Sequence, residues 1–501
     1  MTLIGIGIAF DYSLLVVYRF REELRRGLAR DEAIVRTMAT AGRAVVFSGT
    51  AVAIGLALLL FMPLPFMRGF GVGGLFIPAV SVLAAVSLLP ALLSLLGQRL
   101  DRVPLMPRSW LERRSDDLHG FWPSLAWTIM RRAKAVAVGT SLVLILLGLP
   151  LLSLQVGPGA NEGIPQNLQA VEGFNLLKKS IGAGAVSPTT IVVDTGEVGG
   201  ARNPAIRAAL SRLSRGLRAD PQVSAVVFAR DRQHVDPTGR YLKVDVIGRS
   251  DYGKPESLVF VTRLRREIVP ASGFPPSASV YAGGGPAGGK DFLDLTYSWF
   301  PWLLVSVLVA TFFLLMRAFR SLVLPLKAII LNVLSIGAAY GMLVIVFKWG
   351  AGGEVGLISY DQIEGWIPVF MFAMLFGLSM DYEVFLVSRM RESWDSGATN
   401  EQAVVVGLTR TGRLITAAGL IMFAAVMGFV AGSIVGLQQF GLGLAAAILI
   451  DVTVVRALLV PSAMRLFGRW NWWIPEGLAR VVRVEPSPLG EHHPAFETGG
   501  R

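Results

Sequence analysis

The sequence predicts a polytopic α-helical membrane protein of about nine transmembrane helices, built on a parallel internal repeat, with one α/β domain outside the bilayer. Three observations predict it. Apolar runs long enough to cross about 30 Å of hydrocarbon recur along the chain. A single long stretch, residues 155–298, has the polarity of a soluble domain. And a motif near the start, running from Gly7 through Asp11-Tyr12 to Glu22, returns from Gly377 through Asp381-Tyr382 to Glu392 at a constant offset of 370 residues.

Composition excludes several classes. The chain is 53% hydrophobic and 16% charged, against about a quarter charged in soluble proteins. Its net charge of +12 does not point to nucleic acid, because the basic residues collect just outside the apolar runs, as the positive-inside rule expects of a multi-pass plasma-membrane protein. The absence of cysteine rules out disulfides, thiolate metal sites and a cysteine nucleophile. Two of only four histidines are adjacent near the C-terminus, and neither the acids nor the histidines show metal-ligand spacing; no cofactor and no enzyme chemistry are expected.

In chain order, residues 1–98 read as three spans: Met1 to Tyr18, Ala44 to Met62 and Gly71 to Leu96. Arg19, Arg21, Arg25 and Arg26 mark the cytoplasmic end of the first, and residues 21–43 read as a charged helix lying along the membrane surface. Residues 99–134 form a basic cytoplasmic linker and residues 135–154 a fourth span. Within 155–298 the periodicities give a strand at Ile191 to Val193, a helix at Pro204 to Leu217, strands at Val223 to Phe228 and Tyr241 to Ile247, a helix at Ser257 to Val269 and a strand at Ala278 to Tyr281. The order βαββαβ is that of a ferredoxin-like unit. The glycine-rich stretch 283–289 lacks any phosphate-loop pattern and reads as a hinge; Asp291 and Asp294 beyond it are weaker candidates for a substrate entrance. Residues 299–467 hold five more spans, and residues 468–501 read as a disordered cytoplasmic tail. With these assignments all the spans alternate sides consistently.

The repeat extends beyond its core, with Arg43 on Arg413 and Phe70-Gly71 on Phe440-Gly441. Three helices near the start thus duplicate the last three in the same orientation, an architecture found in secondary transporters. The second copy is preceded by a soluble insertion and two helices that the first copy lacks, so by symmetry the front of the chain reads as missing.

An aspartate at the bilayer centre costs roughly 2.5 to 3.5 kcal/mol on insertion scales and by default marks function. Asp11 and Asp381, duplicated in register with Tyr12 and Tyr382 beside them, are therefore the leading candidates. Glu383 aligns with Ser13 in the repeat and so breaks its symmetry; it is a secondary candidate, as a helper acid or a support to the others, with no direct role favoured. Asp451 and Arg456, five apart, read as a structural ion pair, with Arg456 alternatively snorkelling to the inner surface.

The Gly-x-x-x-Asp-Tyr helix with its basic end, the segment Phe-Arg-Ser-Leu-Val-Leu-Pro-Leu-Lys at 319–327 and Ile-Asp-Val-Thr-Val-Val-Arg at 450–456 resemble the MMPL group of the resistance-nodulation-division superfamily. That resemblance implies twelve helices with two extracytoplasmic porter-type domains, of which nine helices and one domain are read here. It also implies proton-driven export of lipids or other hydrophobic molecules, and a proton relay comprising Asp11, Tyr12, Asp381 and Tyr382. The expected partners are the bilayer and a lipid-like substrate, with a second copy or an accessory subunit left open. The competing reading is a non-transporting lipid-binding or sterol-sensing-type scaffold, for which paired intramembrane acids serve no purpose.

Overall fold

The computed structural model describes residues 2–97, 120–159, 163–229 and 231–481. Among them nine helices are long and apolar enough to cross a membrane. They are α1 (Leu3–Arg25), α2 (Arg30–Phe61), α3 (Pro65–Leu96), α5 (Ala133–Ser153), α9 (Gly285–Phe319), α10 (Val323–Lys348), α11 (Trp366–Asp395), α12 (Asn400–Val430) and α13 (Val435–Trp472). A short helix, α4 (Phe121–Arg131), precedes α5, and three more, α6 (Gln169–Ile181), α7 (Pro204–Ala219) and α8 (Pro255–Arg263), lie in the polar stretch.

The helices outrun the apolar patterns because backbone hydrogen bonding carries a helix on past the hydrocarbon, where water replaces lipid. Residues 30–43 are not a separate surface helix: α2 is continuous from Arg30, and its polar first turns belong to the span. The preceding turn is made at Gly27 (φ +90°), matched in the second copy by Gly397 (φ +93°). A left-handed residue after a helix is where glycine avoids the Cβ penalty. After Gly397, the Thr399 hydroxyl accepts from the Gln402 N–H while the Gln402 side chain accepts from the Thr399 N–H, a capping box that starts α12.

Two further expectations are corrected. The glycine-rich stretch is not a hinge, since β5 ends at Gly284 (φ +85°) and α9 begins at Gly285. A side chain at Gly284 would meet the Pro188 carbonyl oxygen at 2.2 Å, so the turn is tight and walled in. Nor are residues 468–481 a disordered tail: α13 runs to Trp472 and a short helix spans Glu476–Val481, while residues 482–501 lie outside the described residues. Trp472 stacks on Trp394 (5.4 Å between rings), its indole donates to Asn400 Oδ1 (3.0 Å), and Arg391 lies over its face (5.6 Å). Of the linker 99–134, residues 99–119 lie outside the described residues; α4 packs on α12, with the Trp122 ring against Gly412.

The polar stretch forms a four-stranded sheet of order β3-β4-β2-β5, every neighbour antiparallel. Its strands are β2 (Thr189–Asp194), β3 (Val223–Val227), β4 (Tyr241–Gly248) and β5 (Ser279–Gly284). Alternate residues Ile191, Val193, Leu242, Val244 and Val246 point to one face, where Ile206, Leu213 and Leu217 of α7 and Phe260 of α8 close a core separate from that of the bundle. Asn203 caps α7, accepting from the Ala205 N–H (2.9 Å), and Pro204 occupies its first position. Two residues on either side tie the domain to the bundle: β1 (Val156–Gly157) pairs parallel with β6 (Ile363–Glu364), directly before α11.

In the bundle, α1 packs on α12 and α11 packs on α2, so each copy's first helix lies against the other copy's second. The α2–α11 contact is close because Gly55 and Gly377 face each other's helix: a Cβ on Gly377 would sit 3.1 Å from Val52 Cα. Phe70 of α3, Phe370 of α11 and Phe440 of α13 stack in a row (4.2 and 5.2 Å), the outer two being repeat equivalents. The interior share of the spans decides their roles: 88% of the α11 window is buried, against 11% for α5. Helix α11 is therefore the axis of the bundle, and α5 presents its leucines to lipid.

Candidate functional site

Asp11 and Tyr12 lie midway along α1, and Asp381 and Tyr382 midway along α11. The backbone of Asp381 is helical; its side chain lies outside the described residues. The two copies meet crosswise. The Tyr382 hydroxyl donates to Asp11 Oδ2 at 2.6 Å, joining the tyrosine of the second copy to the acid of the first. Tyr12, 3% exposed, receives the Ser48 hydroxyl of α2 at 3.3 Å. Gly49 keeps this corner open, since a Cβ there would strike Val82 at 2.2 Å and approach the Tyr12 hydroxyl at 3.3 Å.

A second polar group adjoins this one. Arg456 and Asp451 of α13 form an ion pair (Nε to Oδ2, 2.8 Å) in which both side chains are buried. Residues five apart on an α-helix point roughly 140° away from each other. They meet here because Asp451–Leu459 winds as a π-helix, whose i→i+5 bonds stack such positions. A shorter π turn, Ala84–Leu88, occurs in α3, the corresponding helix of the first copy. Arg456 then reaches α11, donating to the Ser379 carbonyl and to Ser379 Oγ (2.9 Å), while its guanidinium lies 5.6 Å from the Tyr382 ring centre. Ser379 in turn donates to Asn332 Oδ1 of α10 (2.8 Å). The snorkelling alternative for Arg456 is excluded by its 2% exposure.

Glu383, 3% exposed, faces Arg456, Lys327 and Asp451. Lys327 of α10 is itself buried, its ammonium directed at Met464 Sδ (2.6 Å) and Asn471 Oδ1 (3.5 Å). Two bases and two acids thus share one buried compartment, which keeps the charge balanced where a lone ion would be prohibitive.

The site also includes two cavities. One, of about 50 Å³ and open on one side, is lined mainly by apolar side chains with Asp11, Tyr12 and Ser48 among them; the other, of about 20 Å³, has Asn332, Ser379 and Asp451 in its wall. Each has room for a water or two beside its few polar groups, and Tyr382 lines both. Asp291 takes the Arg265 guanidinium and Asp294 the Lys290 ammonium, both carboxylates remaining more than half exposed. No group of three or more metal-ligating side chains exists among the described residues.

The sequence profile of the MMPL family matches residues 1–136 and 163–489. The chain belongs to the MMPL family. Its MMPL relatives include the "Mycolic acid-containing lipids exporter MmpL11" of Mycolicibacterium smegmatis, 32% identical over 484 residues, covering 96% of this chain and 50% of that protein. The "Heme uptake protein MmpL11" of Mycobacterium tuberculosis is likewise 32% identical, with 96% and 49% covered. The "Trehalose monomycolate exporter MmpL3" of Mycobacterium tuberculosis is 31% identical over 523 residues, with 98% and 54% covered. The chain spans about half the length of these curated relatives. Among solved structures, SecDF from Thermus thermophilus matches with a TM-score of 0.52 at 19% identity, covering 93% of this chain and 53% of that one, which speaks to fold alone.

Three members of the site escaped the sequence reading. Lys327 stands inside the motif that resembles the MMPL pattern, five residues into an apolar helix, where a cation commonly reaches back to the surface; only its burial marks it. Asn332 and Ser379 are single polar residues in apolar spans, and nothing in their spacing distinguishes them from packing positions.

Proposed function

We propose that this MMPL chain acts as, or within, a proton-driven transporter that moves lipids or other hydrophobic molecules across the plasma membrane. Asp11, Tyr12, Asp381 and Tyr382 form its proton relay. The observation that carries the reading is the Tyr382–Asp11 hydrogen bond, which joins the two repeats inside the bundle at a residue that lines two small cavities. A hydroxyl in that position can pass a proton to the carboxylate and be resupplied from the other chamber through Ser379 and Asp451. Neutralising Asp11 breaks the contact that holds α1 to α11, so proton transfer and helix movement are linked. The driving force is about 2.3 kcal/mol per charge per 100 mV plus about 1.4 kcal/mol per pH unit.

In this reading Glu383, Asp451, Arg456 and Lys327 hold the charge balance around Tyr382. The α/β domain is a ferredoxin-like porter domain on the outside, the loops carrying Arg19 to Arg26 and Arg389 to Arg413 lie inside, and the two repeats rock about an axis along the membrane normal. The relatives' printed names support a lipid-like cargo. The test is proton flux into liposomes containing the purified chain. Wild type should dissipate an imposed pH gradient and Asp11→Asn should not; no flux from wild type would favour the lipid-binding scaffold.

A further inference from the structure

The loop between α10 and α11 holds an acid that the relay does not use. Glu364 ends β6, immediately before the first turn of α11. Its carboxylate is turned inward against the start of α13: a Cβ on Gly436 would lie 2.3 Å from Oε2, and one on Gly163 would lie 3.9 Å from Oε1. The Trp366 indole donates to it at 2.6 Å. Gln439 fixes the backbone on both sides, accepting from the Glu364 N–H (3.0 Å) and donating to the Gln362 carbonyl (2.8 Å), and is itself fully buried.

The indole is also part of the aromatic row. Trp366 packs on Phe66 and Phe70 of α3, on Phe370 below it, and on Phe440 of α13, at 5.6 to 6.2 Å between ring centres. The Glu364 carboxylate therefore holds a ring that, like Phe370 one turn below, touches the third helix of both repeats, and that opens the helix carrying Tyr382. Tyr382 lies 16 residues further on, about 24 Å along α11.

We propose that Glu364 is a second protonation site, at the α/β-domain end of the bundle, which reports the acidity of that side to α11 by holding or releasing the Trp366 indole. This rests on the proton-coupled reading for its orientation in the membrane. Burial pushes the Glu364 carboxyl up from its ordinary value, opposed by the indole bond. The ionisable groups around it are few. Tyr252 faces it from the segment before α8, and burial pushes that phenol further from ionising. Asp361 on the same loop is held by Lys254 (3.0 Å), Asp251 by Lys178 (3.4 Å), and the Tyr297 hydroxyl of α9 donates to the Gly365 carbonyl (3.2 Å). The α13 residues facing it, Gly436 and Gln439, carry no charge. Glu162, in the adjoining loop, lies outside the described residues.

The test uses the full chain in liposomes, with infrared difference spectra and tryptophan emission recorded as the outer pH is lowered. Wild type should gain a protonated-carboxyl band together with a change in emission. Glu364→Gln should lose a component of that band, and both it and Trp366→Phe should lose the emission change, whereas Asp11→Asn should keep it. Gly436→Ala, which pushes the carboxylate toward water, should move the emission midpoint down by about one pH unit, the usual scatter of such values. Spectra of Glu364→Gln that superimpose on wild type would overturn the inference and leave the relay standing. Retained proton flux in Asp11→Asn would instead overturn the relay while the Glu364 titration could still be read.

Discussion

The ion pair between Asp451 and Arg456 offers the sharpest energetic test of the site. Both side chains are buried, at 5% and 2% exposure, their atoms are 2.8 Å apart, and Asp451 Oδ1 and Arg456 NH1 have no hydrogen-bond partner. With Asp451 Oδ1 and Arg456 NH1 unmet in a buried setting, the pair itself adds little net stability, but removing one member strands the other. Arg456→Met should therefore destabilise the fold by about 3 to 5 kcal/mol, and Asp451→Leu by a similar amount. The double variant replaces two charges by apolar groups and should recover most of the loss, leaving an interaction energy of about 3 kcal/mol or more. The assay is equilibrium unfolding in mixed lipid–detergent micelles for wild type, both singles and the double. Additivity within about 0.5 kcal/mol would show that the two ions do not depend on each other and would refute the argument. The same double variant separates stability from function. It should fold yet conduct protons poorly, since it lacks the guanidinium that lies on the Tyr382 ring and bonds Ser379.

Tyr382→Phe deletes the donor to Asp11 while keeping the ring; a bond to a charged group is worth about 1.5 to 3 kcal/mol, so proton flux in liposomes should fall roughly 10- to 150-fold. Gly377→Val drives a side chain into the Val52 backbone and should cost about 1 to 3 kcal/mol in the micelle unfolding assay, because helix α11 has no lipid side toward which to move. In the α/β domain, burial pushes the Asp220 carboxyl up, but its pair with Arg263 (2.7 Å) and the Gln222 N–H outweigh this and hold it below its ordinary value. The pair's contribution is thus present above about pH 4 and lost as pH falls through the lower folded value. Thermal unfolding of Arg263→Ala should trail wild type at pH 7 and converge with it in acid. Glu364 has the opposite sign: its raised value burdens the folded state as pH rises through it, so the thermal stability of Glu364→Gln should gain on wild type from pH 4 to pH 8.

The spans were legible because a run of apolar residues has few alternatives in lipid, and the motif was legible because it occurs twice. What repetition cannot say is which acid meets which tyrosine. Each acid has a tyrosine next to it in sequence, yet adjacent residues on a helix point about 100° apart, and Asp11 bonds Tyr382 of the other copy. Glu383 was discounted for breaking the repeat, and its burial among Arg456 and Lys327 follows from the packing of three helices that no local pattern encodes. The order of residues 468–481 was hidden for the same reason. Arginine and tryptophan read as a solvated tail until Trp394, Arg391 and Asn400, far back in the chain, supply the surface that buries Trp472.

The π winding of Asp451–Leu459 has a mechanical consequence. A wide turn accommodates one more residue than an α turn over the same rise, and its surplus can be surrendered only by slippage. Should the winding tighten by one residue, everything from Val460 to Trp472 would rotate by about 100° and advance by about 1.5 Å. Asn471 would swing off Lys327 and the Trp472 stack would part, so the end of the last helix keeps its place only while the winding bridged by the Asp451–Arg456 pair stays wide.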